Sequence, residues 1–243
     1  ILVKTAKEKN KKLQVGHIER FNPVVIEIAK RNIQPLYIEA TRFSPFRFRS
    51  GDVSVMLDIM IHDIDIVRMI AKSPVEKVDA IGVNLLGKYE DIANARLVFQ
   101  SGCVANINAC RTAFKPVRQL KIFALDSYIF LDYATKECKI YKKPSQSELE
   151  KMNLQGGVPK EFTGLSFEDI FYSKVLKSEE VSIKMHEPLY AELESFIDSI
   201  EKDKTPVVSG EDGLEAMKIA NMIELDIKKN FEKIKSRFAG QDI

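Results

Sequence analysis

Six short segments rich in β-branched and aromatic residues follow one another between Val75 and Tyr141, and they constrain the fold more than any other feature of the chain. Gly102 and the pair Asp126-Ser127 separate segments as turn signals. Because the connections are short, we expect successive segments to pair as an antiparallel meander. The candidate strands are Val75–Asn84, Ala93–Phe99, Val104–Arg111, Leu120–Ala124, Tyr128–Asp132 and Cys138–Tyr141.

Alternating helix and strand patterns precede this region. The first ten residues predict a helix and Leu13–Ile18 a short strand, which is the rhythm of a parallel sheet. Asn22 is a good N-cap, and Pro23 suits the first position of a helix that reaches Lys30. The next predicted elements are a strand over Leu36–Phe43 and a helix over about Val53–Ala71.

A polar stretch and two helices complete the pattern. Residues 142–164, with Pro144 and Gly156-Gly157, predict a long loop or lid. The closing helices are predicted within 188–243: Pro188 opens the first, and Ser209-Gly-Glu-Asp212 has capping-box spacing at the start of the second, about 211–230. The first helix carries an apolar stripe formed by Leu189, Leu193, Phe196, Ile197 and Ile200.

Together these patterns predict an α/β (α+β) fold with a large, mostly antiparallel open sheet and helices on one face. In one strand, Ile122 and Ala124 point to one face while Phe123 and Leu125 point to the other, so both faces are apolar. Either another subunit or another part of the same chain would cover the second face, and the spacing leaves both alternatives open.

Composition argues against several classes of partner. The formal net charge is only +2, from 37 basic and 35 acidic residues, which gives no reason to expect nucleic acid or a membrane surface. Cys103, Cys110 and Cys138 lack C-x-x-C spacing, which argues against a disulfide framework or a zinc site and favours reduced thiols in the cytoplasm. No stretch reaches the ~20 apolar residues that a membrane-spanning helix needs.

One helix carries the pattern that favours chemistry. Asp58, His62 and Asp65 are spaced to share one face of an otherwise apolar helix. Histidine titrates near neutrality and can take a proton from an alcohol, and a carboxylate one turn away can orient the ring. The alternative is structural, with Asp58 paired to Arg42 or Arg68 and a hydrogen-bonded core histidine. Spacing alone does not decide between them, and no neighbouring histidine supports a metal site.

A second candidate set consists of polar residues at strand ends or in the loops beyond them. Ligands of open α/β sheets bind beyond the carboxyl ends of the strands, where arginines suit a phosphate or carboxylate. For any single arginine, a solvated loop charge is the favoured interpretation. The set is Arg20, Asn22, Arg42 and Arg47.

Three motifs in order resemble the Gfo/Idh/MocA oxidoreductases. They are Gly16-His-Ile-Glu-Arg20-Phe-Asn22-Pro23, Asp58-x-x-x-His62-Asp63-Ile-Asp65, and Glu187-Pro188-Leu189 followed by Pro206-Val-Val-Ser-Gly-Glu-Asp-Gly213. The first motif is especially similar to UDP-N-acetylglucosamine 3-dehydrogenase-like members, which oxidise nucleotide-linked amino sugars.

The resemblance implies a site and an assembly. His62 would be the catalytic acid/base, with Asp58 its neighbour in the catalytic site. Arg20, Asn22, Arg42 and Arg111 would contact a sugar or nucleotide-sugar substrate. The open sheet would form contacts between copies in a homo-oligomer.

The resemblance also implies NAD or NADP as the cofactor, held by a glycine-rich Rossmann domain. The sequence contains no G-x-G-x-x-G, so we expect this chain alone to bind the dinucleotide poorly, with His17 as its only candidate contact. Residues 1–18 would be a remnant of that domain and residues 19–243 the substrate and oligomerisation domain. The alternative function is a non-catalytic binding or assembly module. A hydrolase is disfavoured because no G-x-S-x-G elbow is present.

Overall fold

A computed structural model describes residues 1–46, 52–148 and 177–237. The helices are α1 (Leu2–Glu8), α2 (Pro23–Ala29), α3 (Ile61–Ala71), α4 (Pro188–Glu201) and α5 (Gly210–Arg237), with a 3₁₀ turn at Ile18–Phe21 and a π-helical turn at Met56–Met60. The strands are β1 (Pro35–Phe43), β2 (Val75–Val83), β3 (Ile92–Phe99), β4 (Val104–Cys110), β5 (Val117–Ala124), β6 (Ser127–Asp132), β7 (Glu137–Lys142) and β8 (Lys177–Glu179).

The eight strands form one open, mostly antiparallel sheet in the order β2-β3-β4-β1-β5-β6-β7-β8. This confirms the predicted fold class. The uninterrupted meander was wrong, because β1 lies between β4 and β5, parallel to the former and antiparallel to the latter. Ile38 and Ala40 of β1 are fully buried, so the strand belongs at the centre of the sheet. β8, which pairs with β7, was not predicted.

One face of the sheet is covered by helices. The inward side chains of the central strands pack against α3 and α5 and are fully buried. These packed residues include Ile38, Ala40, Ala95, Leu97, Ala105, Ile107, Leu120 and Ile122. The apolar alternation of the strands is therefore satisfied on this side.

The opposite face carries a row of aromatic rings across four strands. Tyr37 stacks on Phe123, Phe123 on Tyr128, and Tyr128 on Tyr141, with ring centroids 5.7, 4.8 and 5.9 Å apart. Phe123 remains 40% exposed and Leu125 59% exposed. The described part of the chain therefore does not cover this face.

The predicted strand Leu13–Ile18 was wrong as a sheet strand. Gln14 forms a single antiparallel bridge with Ser209, flanked by hydrogen bonds from Val15 N to Val208 O and from Gly210 N to Leu13 O. The segment pairs with the start of α5 because its backbone forms hydrogen bonds there and its apolar side chains, Leu13 and Val15, pack against Gly210 and Gly213.

The closing helices form as predicted, although the apolar stripe of α4 is largely exposed. Leu193 and Ile197 are 55% and 54% exposed. The capping box of α5 is confirmed: Ser209 N and Oγ donate to Asp212 Oδ2, and Asp212 N donates to Ser209 Oγ. Of the predicted lid, residues 149–164 lie outside the described ranges.

Within residues 1–46, 52–148 and 177–237, no helix combines the length and apolar character that a bilayer crossing requires. In the same ranges, no three His, Cys, Asp or Glu side chains are grouped as metal ligands. Cys103, Cys110 and Cys138 are all free thiols.

Candidate active site

A polar cleft lies beyond the carboxyl ends of β1 and β4. These strands are parallel, so their ends meet at one edge of the sheet, where ligands of such sheets bind. Residues that follow β1 and β4 line the cleft together with the beginning of the long helix. The lining residues are Ile18, Glu19, Arg42, Ser44, Pro45, Asp58, Ile59, His62, Arg111 and Arg118.

The helix that carries the candidate acid/base begins with the π-helical turn Met56–Met60 and continues as α3. Ser54 O accepts hydrogen bonds from both Leu57 N and Asp58 N at its start. A π turn widens the helix locally and often marks a functional site. Asp58 and His62 both line the cleft, as predicted, whereas Asp65 does not.

Asp65 and Arg20 form a buried ion pair away from the cleft. Arg20 Nε and Nη2 donate to Asp65 Oδ2 and Oδ1 at 2.5 and 2.7 Å, and a second carboxylate, Asp212, lies 3.8 Å from Nη2. Asp212 in turn pairs with Arg68. Because Arg20 is committed to these partners, it does not line the cleft, and its predicted contact with the substrate was wrong.

Arg42 belongs to a second buried ion-pair cluster at the base of the cleft. Its Nε and Nη2 donate to Asp63 at 2.7 and 2.9 Å, and its Nη1 donates to Glu19 at 2.7 Å. Burial alone would lower the pKa of Arg42, but Asp63 and Glu19 raise it above its ordinary value. The guanidinium lies 5.1 Å from the ring of Tyr133. A buried arginine with two carboxylate partners is already neutralised.

Arg111 is held by the chain as well. Its Nε donates to Asp91 Oδ1 and its Nη1 to Val53 O, each at 2.6 Å. Burial would raise the pKa of Asp91, but hydrogen bonds from Arg111, Leu85 and Leu86 lower it. Arg111 is therefore a fixed wall of the cleft.

Asn22 caps a helix and does not line the cleft. Its Oδ1 accepts from Val24 N at 3.4 Å, and its Nδ2 donates to Glu19 Oε2 and to Tyr133 O at 3.2 and 3.1 Å. These contacts hold Glu19 beside Arg42. Arg47, predicted with this set, lies outside the described residues.

Asp58 and His62 differ from the arginines because they lack partners. Among the described residues, neither the Asp58 carboxylate nor a ring nitrogen of His62 makes a hydrogen bond or an ion pair. The structural alternative for Asp58 fails, since Arg42 pairs with Asp63 and Arg68 with Asp212. Burial, with a smaller effect of Arg42, lowers the pKa of His62. The ring is therefore neutral at pH 7 and able to accept a proton.

Arg118 and Ser44 are cleft residues that sequence reasoning missed. Arg118 stands opposite Arg42 in the register of β5 and β1 and is exposed. No hydrogen bond or ion pair of its side chain involves another described residue. In the sequence, Arg118 is marked only by its place at the start of a strand. That place indicates the cleft only once β1 is known to be the neighbouring strand.

The N-terminus of α5 does not fit the pyrophosphate of a dinucleotide. At the N-terminus of α5, a Cβ on Gly210 would meet Leu13 Cδ2 at 2.5 Å, and one on Gly213 would meet Val15 Cγ2 at 2.6 Å. These two glycines make room for the chain's own side chains, whereas a phosphate cradle needs open backbone amides.

The cleft brings together a histidine, a carboxylate and fixed cations, which are groups that can exchange a proton with a polar ligand. Residues 31–125 match the model of the GFO/IDH/MocA C-terminal domain. Over this domain the chain is similar to the GFO/IDH/MocA family.

Among curated relatives, the UDP-N-acetylglucosamine 3-dehydrogenase of Acidithiobacillus ferrooxidans is 28% identical over 228 residues, which are 93% of this chain and 66% of the relative. The myo-inositol 2-dehydrogenase of Thermotoga maritima is 26% identical over 221 residues, 88% of this chain and 55% of the relative. The chain thus spans just under two thirds, or less, of the length of these relatives.

Solved structures with a similar fold include two sugar-related oxidoreductases. The structure of the Acidithiobacillus ferrooxidans enzyme has a TM-score of 0.79 at 27% identity, covering 94% of this chain and 66% of that one. The aldose-aldose oxidoreductase of Caulobacter crescentus has a TM-score of 0.71 at 18% identity, covering 94% of this chain and 65% of that one. The second likeness supports the fold alone.

Proposed function

We propose that this chain is the substrate-binding part of an oxidoreductase that acts on a CH–OH group of a sugar or nucleotide sugar, with His62 as the acid/base. The observation that carries the proposal is the position of His62 in a polar cleft beside Asp58, with no hydrogen-bond partner for its Nδ1 among the described residues. The names of the two curated relatives, both dehydrogenases of polyhydroxylated substrates, support the class of substrate.

In this proposal, His62 takes the proton of the substrate hydroxyl as the carbon is oxidised. Asp58 is the free acceptor for a neighbouring hydroxyl and favours the charged imidazolium. Arg42 and Arg111 are substrate-facing walls whose positions are fixed by Asp63, Glu19 and Asp91. Asn22 acts on the substrate through Glu19, which it holds beside Arg42, whereas Arg20 is paired with Asp65 and Asp212 outside the cleft.

Arg118 suggests where an anionic part of the substrate binds. Its guanidinium has no carboxylate partner among the described residues, so a phosphate or carboxylate on the ligand would supply one. Arginine binds such groups through paired N–H donors. A nucleotide sugar meets this requirement better than a free sugar.

The hydride acceptor in the proposal is NAD or NADP. Because the N-terminus of α5 does not fit a pyrophosphate, a separate Rossmann domain would hold the dinucleotide. Residues 1–18 would be a remnant of that domain, and residues 19–243 would form the substrate domain. The contact of His17 with the cofactor remains a prediction from the resemblance.

The open face of the sheet supports the proposed homo-oligomer. Phe123 and Leu125 are 40% and 59% exposed on this face, and subunits commonly bury such exposed apolar side chains. The same observation favours the second candidate function, a non-catalytic assembly module. The free thiols suit a reducing compartment such as the cytoplasm.

Calorimetric titration of this chain with UDP-N-acetylglucosamine and with N-acetylglucosamine tests the proposal. Saturable binding of the nucleotide sugar is expected, with a dissociation constant of roughly 1 μM to 1 mM, the usual range for enzyme substrates. Asp58→Ala should weaken it, while Asp198→Ala on exposed α4 is the matched control. Equal heats for wild type and Asp58→Ala, or no binding of either sugar, would favour the assembly module.

A further inference from the structure

His17 and His62 form a pair of contacting rings, hereafter the histidine pair, in which His17 is buried and His62 lines the cleft. Their centroids are 6.3 Å apart and their planes meet at 83°. Nε2 of His17 and Nδ1 of His62 are both buried without a hydrogen-bond partner in the described chain. An unpaired buried polar group costs about 1–3 kcal/mol. Two such groups at one contact require an explanation.

The carboxylates near the histidine pair are already committed. Asp65 is engaged by both donors of Arg20, and Asp63 and Glu19 are both engaged by Arg42. Asp58 makes no hydrogen bond to His62. An acid/base imidazole needs a third group that orients its far nitrogen. The ring of His17 contacts that of His62 and has a nitrogen, Nε2, that can provide it.

We propose that His17 is the positioning residue of His62, linked to it by one water molecule that accepts from Nδ1–H of His62 and donates to Nε2 of His17. The proposal rests on the proposed role of His62 and assigns His17 a task other than cofactor contact. A water with these two polar partners satisfies both unpaired nitrogens.

This link fixes which nitrogen of His62 carries the proton. With hydrogen on Nδ1, Nε2 has a free lone pair for the substrate hydroxyl. When Nε2 takes the hydroxyl proton, His62 becomes an imidazolium and its Nδ1–H bond toward His17 strengthens, because a charged donor forms a stronger hydrogen bond. The substrate hydroxyl is left as an alkoxide, and the carbon that bears it is then oxidised.

Both rings must be neutral for this arrangement, and their surroundings agree. Burial lowers the pKa of His17 and of His62. Charges of both signs surround each ring, so neither ring faces an uncompensated carboxylate that would keep it protonated. These charges are Asp65, Arg20, Asp212 and Arg68 near His17, and Arg42, Asp63 and Glu19 near His62.

Nitrogen-15 NMR of the histidine rings tests the proposal on this chain without substrate. The chain contains only three histidines, so single substitutions assign every signal. At pH 7.5, His62 should be protonated on Nδ1 in the wild type. His17→Gln should preserve this state, since the amide oxygen accepts from the water. His17→Phe should shift the tautomer ratio toward Nε2–H by roughly five- to tenfold, the value of one lost hydrogen bond.

His186→Phe is the matched control, because this third histidine contacts the carbonyls of Phe21 and Lys184 instead. A wild-type His62 protonated on Nε2 would overturn the proposal, whether or not any variant folds. An unchanged tautomer in a folded His17→Phe variant would overturn it too. Failure of the chain to bind a sugar would instead count against the proposed function, because the tautomer is read without ligand.

Discussion

The helix from Met56 to Ala71 carries two contrasting pairs of polar residues. Asp63 and Asp65 are fully buried, and each is bound by an arginine through two hydrogen bonds. Asp58 and His62 border the cleft, and neither has a hydrogen-bond or ion-pair partner among the described residues. The spacing of these residues in the sequence is similar, yet their surroundings differ. Charged groups that are paired inside the fold stabilise it, whereas groups left unpaired at a cleft are available for chemistry.

The largest expected contrast in stability is between Asp63→Ala and Asp58→Ala. Removing Asp63 leaves Arg42 buried with only Glu19, and breaking a buried pair costs about 3–5 kcal/mol. Removing Asp58 breaks no pair, so its cost should be within about 1 kcal/mol. Urea unfolding measures both. Equal losses of stability in the two variants would show that the buried, paired Asp63 contributes no more to folding than the unpaired Asp58.

The histidine pair should make stability depend on pH. Burial lowers the pKa of both rings, so the unfolded chain binds more protons than the folded one once the pH falls below about 6.5. The free energy of unfolding should therefore fall as the pH drops from 7 towards 5, by at most about 1.4 kcal/mol per pH unit for each ring.

His62→Gln should reduce this dependence on pH, as measured by urea unfolding across the same range. The matched comparison is Asp58→Asn, which leaves both rings in place. A slope below pH 6.5 that is the same in His62→Gln as in the wild type would show that the ring is not buried in its neutral form.

A smaller effect is expected at Asn22, which caps α2 and donates a hydrogen bond to Glu19. Asn22→Ala should cost about 1–2 kcal/mol, the usual value of a lost N-cap. Asn22→Asp should recover the cap but place a second carboxylate beside Glu19. Thermal unfolding compares the two, and an undiminished melting temperature in Asn22→Ala would show that the cap contributes little.

The smallest effect on folding is expected on the open face of the sheet. Phe123→Lys should change the free energy of unfolding of a single chain by less than about 1 kcal/mol, because the ring is 40% exposed. It should nevertheless weaken self-association, measured by light scattering during size-exclusion. A wild-type monomer at micromolar concentration would contradict the proposed oligomer.

The sequence predicted what depends on local pattern. Period-2 alternation located the strands β1 to β7, and Asn22-Pro23 and Ser209 to Asp212 marked helix starts, because capping acts within one turn. The position of β1 inside the sheet could not be predicted, since the six residues between β4 and β5 suggest a hairpin. Short β8 and the single bridge at Gln14 depend on distant partners.

The candidate site was predicted in part for the same reason. Asp58 and His62 share the cleft as their helical spacing suggested. Which carboxylate each arginine selects depends on tertiary distances, so the partners of Arg20 and Arg42 were not predictable. Arg118 gained its significance only from its register with Arg42.

The most direct test of the central claim compares turnover in His62→Asn and Asp63→Asn, in a protein that joins a dinucleotide-binding domain to this chain. The assay follows reduction of NAD or NADP with UDP-N-acetylglucosamine, normalised to the folded fraction. We expect His62→Asn to lose ~10²–10⁴ in turnover with little change in stability, as removal of an acid/base does. Asp63→Asn should lose stability while its folded fraction keeps most of its turnover. Undiminished turnover in His62→Asn would contradict the account.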